Sequence, residues 1–546
     1  MKLVFFFSLM LSMLYSTELD NQLNSTLNNA SYELAQDTKE QSRIRSLYKM
    51  NENQALWIGH ARNLNALKEA LQNPKFNYKY KDFYQSQMEQ YLYLLHNQMD
   101  LNKNTQKLVK LDILLTRAYL ALTDFIVKSD IDWDMVQTKL ANLKEEKDIT
   151  ANWEMVRKQS PSVSKLFLAL KKEDIKGFLN SLIPLPKLHN DLIEALNFYQ
   201  SIGSLPRIKY GKDLKLGDQY AYISDVKKRL IRTGDMLNRN NTNDIFDEEL
   251  KRALYNYKER FKLPQNGLID KITVYYMNKP TQLQIQSIIT NLDKLRVFPN
   301  RFPKEYIRVN LADFSTDYMK NGNSILHLST VVGRDTRPTP IFSTYMRYLV
   351  LNPTWTIPEN LVRRDLTIAL SEDPNYLTEH NIHVFKGWNT KKEIENFTPE
   401  MLLPYQDEEK GHIPYRFVQY PGDDNALGRI KFMFPNKYSV YLHDTDNKSL
   451  FERRYLVYSS GCMRIEHPFQ LLEVLKSRLK HRDIALIEKY RDTLETKQIN
   501  FTKKLPVQTT YFTVFKHNGS FYFRKDIYGY DAIIEESQKD NDNNLY

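Results

Sequence analysis

The residues with most chemical potential are Tyr441-Leu442-His443-Asp444 and, farther on, Ser459-Ser460-Gly461-Cys462-Met463-Arg464. Cys462 is the only cysteine in 546 residues. A thiol attacks as thiolate, and with an ordinary pKa near 8.5 it is mostly protonated at neutral pH. A histidine within hydrogen-bond reach can take that proton and leave a thiolate–imidazolium pair. His443 closes an alternating apolar run, so Tyr441 shares its face of a strand. Gly461 lets the backbone turn so that amide N–H groups converge on one point, as in an oxyanion hole, where a donor is worth about 3–4 kcal/mol. Together these are the parts for acyl transfer. An inert cysteine buried behind a turn glycine fits the same spacing.

The bulk composition sets the frame. Hydrophobic content of 42% and charged content of 26% suit globular domains, and the length suits two to four of them. A formal charge of +11 favours an anionic partner. No basic run with interleaved aromatics occurs, which argues against nucleic acid. Met1-Lys2, an apolar run over 3–14 and Tyr15-Ser16-Thr17 resemble a secretory signal peptide, shorter than the roughly 20 residues of a bilayer span. We therefore expect a signal segment at 1–17 and a soluble, exported chain; an uncleaved anchor is the alternative.

Residues 18–45 are polar and Asn-rich and are expected to be a flexible lead-in. Helical periodicity fills 46–204, with Leu108, Leu111, Leu115, Ala118, Leu122 and Phe125 on one face and Leu188, Leu192, Ala195, Leu196 and Tyr199 on another. Residues 205–280 read helix, turn, helix, "LPQNGLID", short helix, and resemble the peptidoglycan-binding type 1 module, with Gly267 expected at positive φ. The likeness implies binding to wall glycan or stem peptide; a helical spacer without a groove is the alternative. Residues 281–304 are read as an amphipathic helix returning to the helical region. From 305 the period becomes two. Strands are expected at 307–311, 325–332, 429–434, 439–443 and 510–515, the last pairing with 521–524 across Asn518-Gly519. Residues 351–415 show patchy periodicity and are expected to be a cap or insert, and 532–546 a disordered tail. The fold class is thus multidomain α+β: a mostly β catalytic domain over 305–531, a helical scaffold and a small three-helix module.

The run "NALGRIKFMFPNKYSVYLHDTDNKSLFERRYLVYSSGCMRIE" (425–466) resembles the active-site segment of L,D-transpeptidases with the YkuD-type catalytic domain. "VVGRDTRPTPIFS" (331–343) and "LNPTWTIP" (351–358) match the same family. "ALWIGHARNLNALKEAL" (55–71) and "LDILLTRAYLAL" (111–122) resemble the helical scaffold of its large periplasmic members, the YcbB type. The resemblance implies Cys462 as nucleophile, His443 as general base and Asp444 orienting the base through its backbone carbonyl. Tyr441 and the amides of Gly461 and Cys462 would hold the oxyanion, and Ser460, Arg464 and Trp355 would line the substrate groove, with loop support for Arg464 and core packing for Trp355 the blander readings. The implied activity joins two diaminopimelate residues of peptidoglycan stems through a cysteine acyl-enzyme with release of D-Ala, in the periplasm, and carbapenems acylate such enzymes. No metal or cofactor is expected. The partners implied are stem peptides and glycan, together with other cell-wall synthases. An L,D-carboxypeptidase or a D-amino-acid exchange enzyme would use the same nucleophile, and a non-catalytic wall-binding scaffold would need neither Cys462 nor His443.

Overall fold

The computed structural model describes residues 16–29, 37–97, 101–238, 240–388, 390–405 and 411–538. The signal segment expected at 1–17 lies outside them apart from its last two residues. Among the described residues no helix is long and apolar enough to cross a membrane.

The lead-in is not loose. Helices Ser16–Asn28 and Thr38–Met50 occupy it, with Leu19, Leu23 and Leu27 buried from the first and Ile44, Leu47 and Tyr48 from the second. The four-residue leucine spacing makes one narrow stripe, and docking that stripe on helix Leu101–Lys128 supplies what the polar composition lacks. That long helix also carries Asp112, a fully buried carboxylate that accepts the N–H groups of Leu56, Trp57 and Ile58 at 3.1, 3.0 and 2.9 Å and the Tyr48 hydroxyl at 2.6 Å. One side chain thus fixes the irregular 55–58 segment, whose buried amides must find partners.

Residues 205–280 form helices Tyr222–Arg232, Glu248–Arg260 and Lys271–Met277 around a separate core that includes Ile223, Leu230, Phe246, Leu254 and Val274. Asp247 and Asp270 cap the second and third helices, and Gly267 turns at φ 68°. Helix Thr281–Lys294 then packs along helix Pro186–Ile202. Its Asp293 accepts from the Tyr78 hydroxyl at 2.5 Å and pairs with Lys79 at 2.9 Å. The three-helix unit is therefore an excursion from the helical scaffold.

The C-terminal half is built on strands β1 (Glu305–Asn310), β2 (Ser315–Lys320), β3 (Asn323–Gly333), β4 (Ser343–Leu351), β5 (Trp355–Thr356), β6 (Ile382–Lys386), β7 (Tyr415–Gln419), β8 (Ile430–Met433), β9 (Leu442–His443), β10 (Val457–Ser459), β11 (Met463–Ile465), β12 (Lys497–Thr510), β13 (Val514–His517) and β14 (Ser520–Phe523). Nine of them form one sheet in the order β10-β3-β11-β9-β8-β4-β12-β1-β2, and β2 also pairs with β3, so the sheet curls back on itself. The strand expected at 439–443 shrinks to Leu442–His443, because Ser439 takes φ 55° and the Asn436 amide ties Phe434 to Val440 in a turn. The strand expected at 510–515 is interrupted: the N–H groups of Phe512 and Thr513 donate to the side chains of Asn310 and Asn291 instead of a neighbouring strand.

The insert at 351–415 is more than a loop. It runs past the expected boundary to Gln419, with the three-stranded sheet β5-β7-β6, a helical run over 359–372 that contains a π-turn at Val362–Leu366, and a core of its own with Ile357, Leu366, Leu370 and Phe417. The tail expected to be disordered from 532 begins as helix Tyr530–Glu535, with Tyr530 and Ile534 buried. The N–H of Asp132 donates to the Ser537 carbonyl at 2.8 Å. Residues 539–546 lie outside the described residues.

Arg260 joins three of these units. Its guanidinium pairs with buried Asp235 at 2.6 Å and donates to the Tyr199 hydroxyl at 2.6 Å and the Phe521 carbonyl at 2.9 Å. Removing it would strand a buried carboxylate, which costs about 3–5 kcal/mol. Arg260→Ala should lower the unfolding free energy obtained from a urea titration by that amount, whereas Lys251→Ala, at an exposed pair with Glu248, should cost less than about 0.5 kcal/mol.

Candidate active site

Strands β9 and β11 run parallel, with Leu442 opposite Met463 and His443 opposite Arg464. The Met463 N–H donates to the Tyr441 carbonyl at 3.0 Å, which sets Cys462 beside Tyr441. Side chains alternate along each strand, so Leu442 and Met463 enter the core while Tyr441, His443, Cys462 and Arg464 share the opposite face. Strand β8 adds Lys431, opposite His443 in the antiparallel register, with its ammonium 5.7 Å from the centre of the Tyr441 ring. The sequence reading missed Lys431. Its alternation with buried Ile430 and Phe432 puts it on the right face, but only the strand register places it against the cysteine.

The loop before Cys462 is held by hydroxyls. Ser459 donates to the Cys462 carbonyl at 2.5 Å and accepts from the Gly461 N–H at 3.1 Å. Buried Thr339 donates to the Gly461 carbonyl at 2.9 Å and accepts from the Gly333 N–H, while Tyr528 donates to the Gly333 carbonyl at 2.7 Å. Gly461 has φ 116°, and a side chain there would first meet Val440 at 3.6 Å, so conformation rather than space requires glycine. The expectation that the Gly461 amide faces an oxyanion needs correction: that N–H is taken by Ser459. The Cys462 N–H, by contrast, donates to no protein acceptor among the described residues.

Cys462 is half-buried and His443 is 3% exposed. Burial pushes the thiol above its ordinary value, against the Tyr441 N–H and hydroxyl and the cations Arg464 and Lys431, which all favour thiolate. Burial pushes His443 down to about 3, helped by Arg464, Lys431 and Lys448, while a bond to the Asp444 carbonyl pulls the other way. Its Nδ1 is buried with no partner among the described residues. The resting pair is therefore a neutral thiol and a neutral imidazole, not the ion pair expected from the residue types. A neutral imidazole beside a thiol can take the proton as the sulfur attacks.

Asp444 is oriented by its side chain: it accepts from the Arg429 N–H at 2.9 Å and pairs with Lys448. Trp355, on β5 of the cap, and the Cys462 thiol both lie close enough to the Tyr441 hydroxyl to act on its titration, the indole N–H favouring its ionised form and the thiol its neutral one. Arg464 donates to Thr445 at 3.2 Å, and its Nε is buried without a partner among the described residues. Exposed Ser460 accepts from Arg337 at 2.9 Å, and Arg337 forms a two-pronged pair with Asp365 of the cap at 2.9 and 3.2 Å. All eight residues singled out from the sequence thus come to one face or its rim. Arg337, Thr339 and Tyr528 were not singled out; the first two lie in the 331–343 motif, and Tyr528 has no local signal.

Residues 304–488 match the family described as YkuD, L,D-transpeptidase catalytic domain, and residues 42–196 match the one described as Scaffold domain. The chain therefore carries a YkuD L,D-transpeptidase catalytic domain behind an N-terminal helical scaffold. It is 32% identical over 253 residues to a Haemophilus influenzae protein named as an L,D-transpeptidase, an alignment covering 46% of this chain and 49% of the relative. The chain thus spans about half the length of that curated relative. Among solved structures it is similar to an L,D-transpeptidase from Stackebrandtia nassauensis, at 12% identity and TM-score 0.21 over 58% of this chain and 99% of that one. An L,D-transpeptidase solved in complex with imipenem aligns at 11% identity and TM-score 0.18, over 38% of this chain and 59% of that one.

Because Lys431 favours thiolate, Lys431→Gln should raise the pH midpoint of Cys462 alkylation by iodoacetamide. An unmoved midpoint would remove Lys431 from the site.

Proposed function

We propose that the chain is a peptidoglycan L,D-transpeptidase that cross-links two diaminopimelate residues through an acyl-enzyme on Cys462. The observation that carries this reading is the shared face of β9 and β11, which carries the neutral imidazole of His443, opposite Arg464, and the Cys462 thiol two residues before that arginine, within an L,D-transpeptidase catalytic domain.

In the first half-reaction the Cys462 sulfur bonds to the carbonyl carbon at the L-centre of diaminopimelate in a donor tetrapeptide, and its proton passes to His443. The buried Nδ1 lone pair is the acceptor, and the Asp444 carbonyl holds the ring. Charge builds on the carbonyl oxygen, where the Tyr441 hydroxyl and the free Cys462 N–H act as donors. The bond to D-Ala breaks, the imidazolium returns the proton to the departing amine, and a thioester remains. In the second half-reaction the side-chain amine of another stem attacks that carbonyl, His443 takes the proton, and the sulfur leaves as thiolate to be reprotonated. Arg464 and Lys431 stabilise the thiolate in both halves. The cap, tied to the site through Trp355 and Arg337, restricts water so that aminolysis exceeds hydrolysis. Residues 205–280 serve as a wall-binding module, and the chain acts after export, in the periplasm.

Intact mass spectrometry after incubation with a carbapenem should show one adduct on the native chain and none on Cys462→Ala. His443→Ala should slow acylation by about 10²–10⁴-fold. Since His443 stays neutral to about pH 3, acylation should not lose rate through a midpoint near 6.5 as the pH falls from 7.5 to 5.5. A fall tracking that midpoint would contradict the neutral-pair mechanism.

A further inference from the structure

A cleft of about 590 Å³ opens between the three-helix unit and the catalytic domain, away from the Cys462 face. One wall is the end of helix Glu248–Arg260 and the 262–265 turn; the other is the 451–456 segment, which lies on the connection between His443 and Cys462. The floor is β3 with the β13–β14 hairpin.

The charges in the cleft are incompletely matched. Asp313 is taken by Arg524 at 2.6 Å. Lys262 reaches only the Asp313 carbonyl, at 3.5 Å, with its ammonium 5.0 Å from the centre of the Phe314 ring; burial lowers it to about 8. Arg454 donates its Nε to the Lys262 carbonyl, but its Nη2 is buried without a partner among the described residues. Exposed Arg453 has no carboxylate partner among the described residues. Three cations therefore face two rim carboxylates, Glu259 and Glu452. A buried cation without a counter-charge is costly, and a ligand carboxylate would remove that cost.

Beside the cations, half-buried Phe515 stacks on buried Tyr522 at 5.6 Å and 14°, with the Arg524 guanidinium 5.3 and 5.1 Å from the two ring centres, so Phe515 supplies most of the apolar wall that stays open. The imidazoles of His327 and His517 lie 5.4 Å apart next to it. A flat aromatic wall accepts the C–H face of a sugar ring, and imidazoles bond hydroxyls and amides. Cations and an aromatic wall in one cleft suit a carbohydrate that carries carboxylates.

We propose that this cleft is a second, non-catalytic binding site for peptidoglycan, taking an amino-sugar segment on the Phe515–Tyr522 wall and a stem carboxylate on Lys262, Arg453 and Arg454. The identity of the occupant rests on the function proposed above. A strand bound here bridges the three-helix unit and the catalytic domain and touches the segment that joins base to nucleophile.

The test uses the full chain as Cys462→Ala, so that the probe is not consumed, and isothermal titration with a purified disaccharide-tetrapeptide. The Cys462 groove takes the same donor stem, so the titration should resolve two sites, and adding Lys262→Gln and Arg453→Glu should weaken one of them about tenfold or more, with exposed Arg453→Glu alone giving a smaller loss in the same direction. In the native Cys462 background the same substitutions should leave carbapenem adduct formation unchanged within about twofold, since a small acylating agent needs only the thiol site. Equal affinity with and without the substitutions would overturn the cleft site, as would no binding at all to the Cys462→Ala chain. Failure of adduct formation on the native chain would instead overturn the proposed function.

Discussion

The site depends on two very short parallel strands. Pairing of β9 with β11 puts Tyr441, His443, Cys462 and Arg464 on one face, and the same pairing sends Leu442 and Met463 into the core. A slip by one residue would exchange these sets, burying the reactive groups and exposing the apolar ones. The burial that fixes the register also sets the chemistry. It removes water from the thiol and the imidazole, so both rest uncharged and the thiolate must be stabilised when it forms. Lys431, Arg464 and the Tyr441 hydroxyl meet that need, and each comes from a different strand or from the turn before one.

Strands of two or three residues cannot hold such a register alone, and the surrounding elements do it. Thr339, Ser459 and Tyr528 form a hydroxyl chain around the Gly461 turn, while Asp444 locks the start of β8 through Arg429. Farther out, buried charges join the larger units. Arg260 links the three-helix unit to the scaffold and to β14, and Lys294 links helix Thr281–Lys294 to Asp531 at 2.7 Å and to the Tyr511 carbonyl at 2.9 Å. Such groups specify one arrangement because any other leaves a charge unpaired in the interior.

The sequence made the reactive pair legible because a solitary cysteine behind a glycine and a histidine ending an apolar alternation are local features. The scaffold helices and the Asn518-Gly519 hairpin were legible for the same reason, since three- and four-residue spacing and turn chemistry need no tertiary context. Other features were hidden for physical reasons. Helix Ser16–Asn28 carries only three leucines on a polar background and gains its stability by docking. The cap combines strands of two to five residues with a helical run over 359–372 whose π-turn at Val362–Leu366 breaks the 3.6-residue period. Lys431 and the capture of the Gly461 amide by Ser459 depend on register and on one hydroxyl's direction, neither of which spacing encodes. The neutral state of His443 follows from burial, which residue types alone do not give.

The central claim is that Cys462 transfers an acyl group from one stem to the amine of another. The direct measurement is incubation of the purified chain with tetrapeptide-bearing glycan, digestion to muropeptides, and tandem mass spectrometry of the dimers. The account predicts tetrapeptide–tripeptide dimers joined between two diaminopimelate residues, with one D-Ala released per cross-link, and none with Cys462→Ala. Cross-links that persist in Cys462→Ala, or D-Ala release that yields only tripeptide monomers, would contradict it.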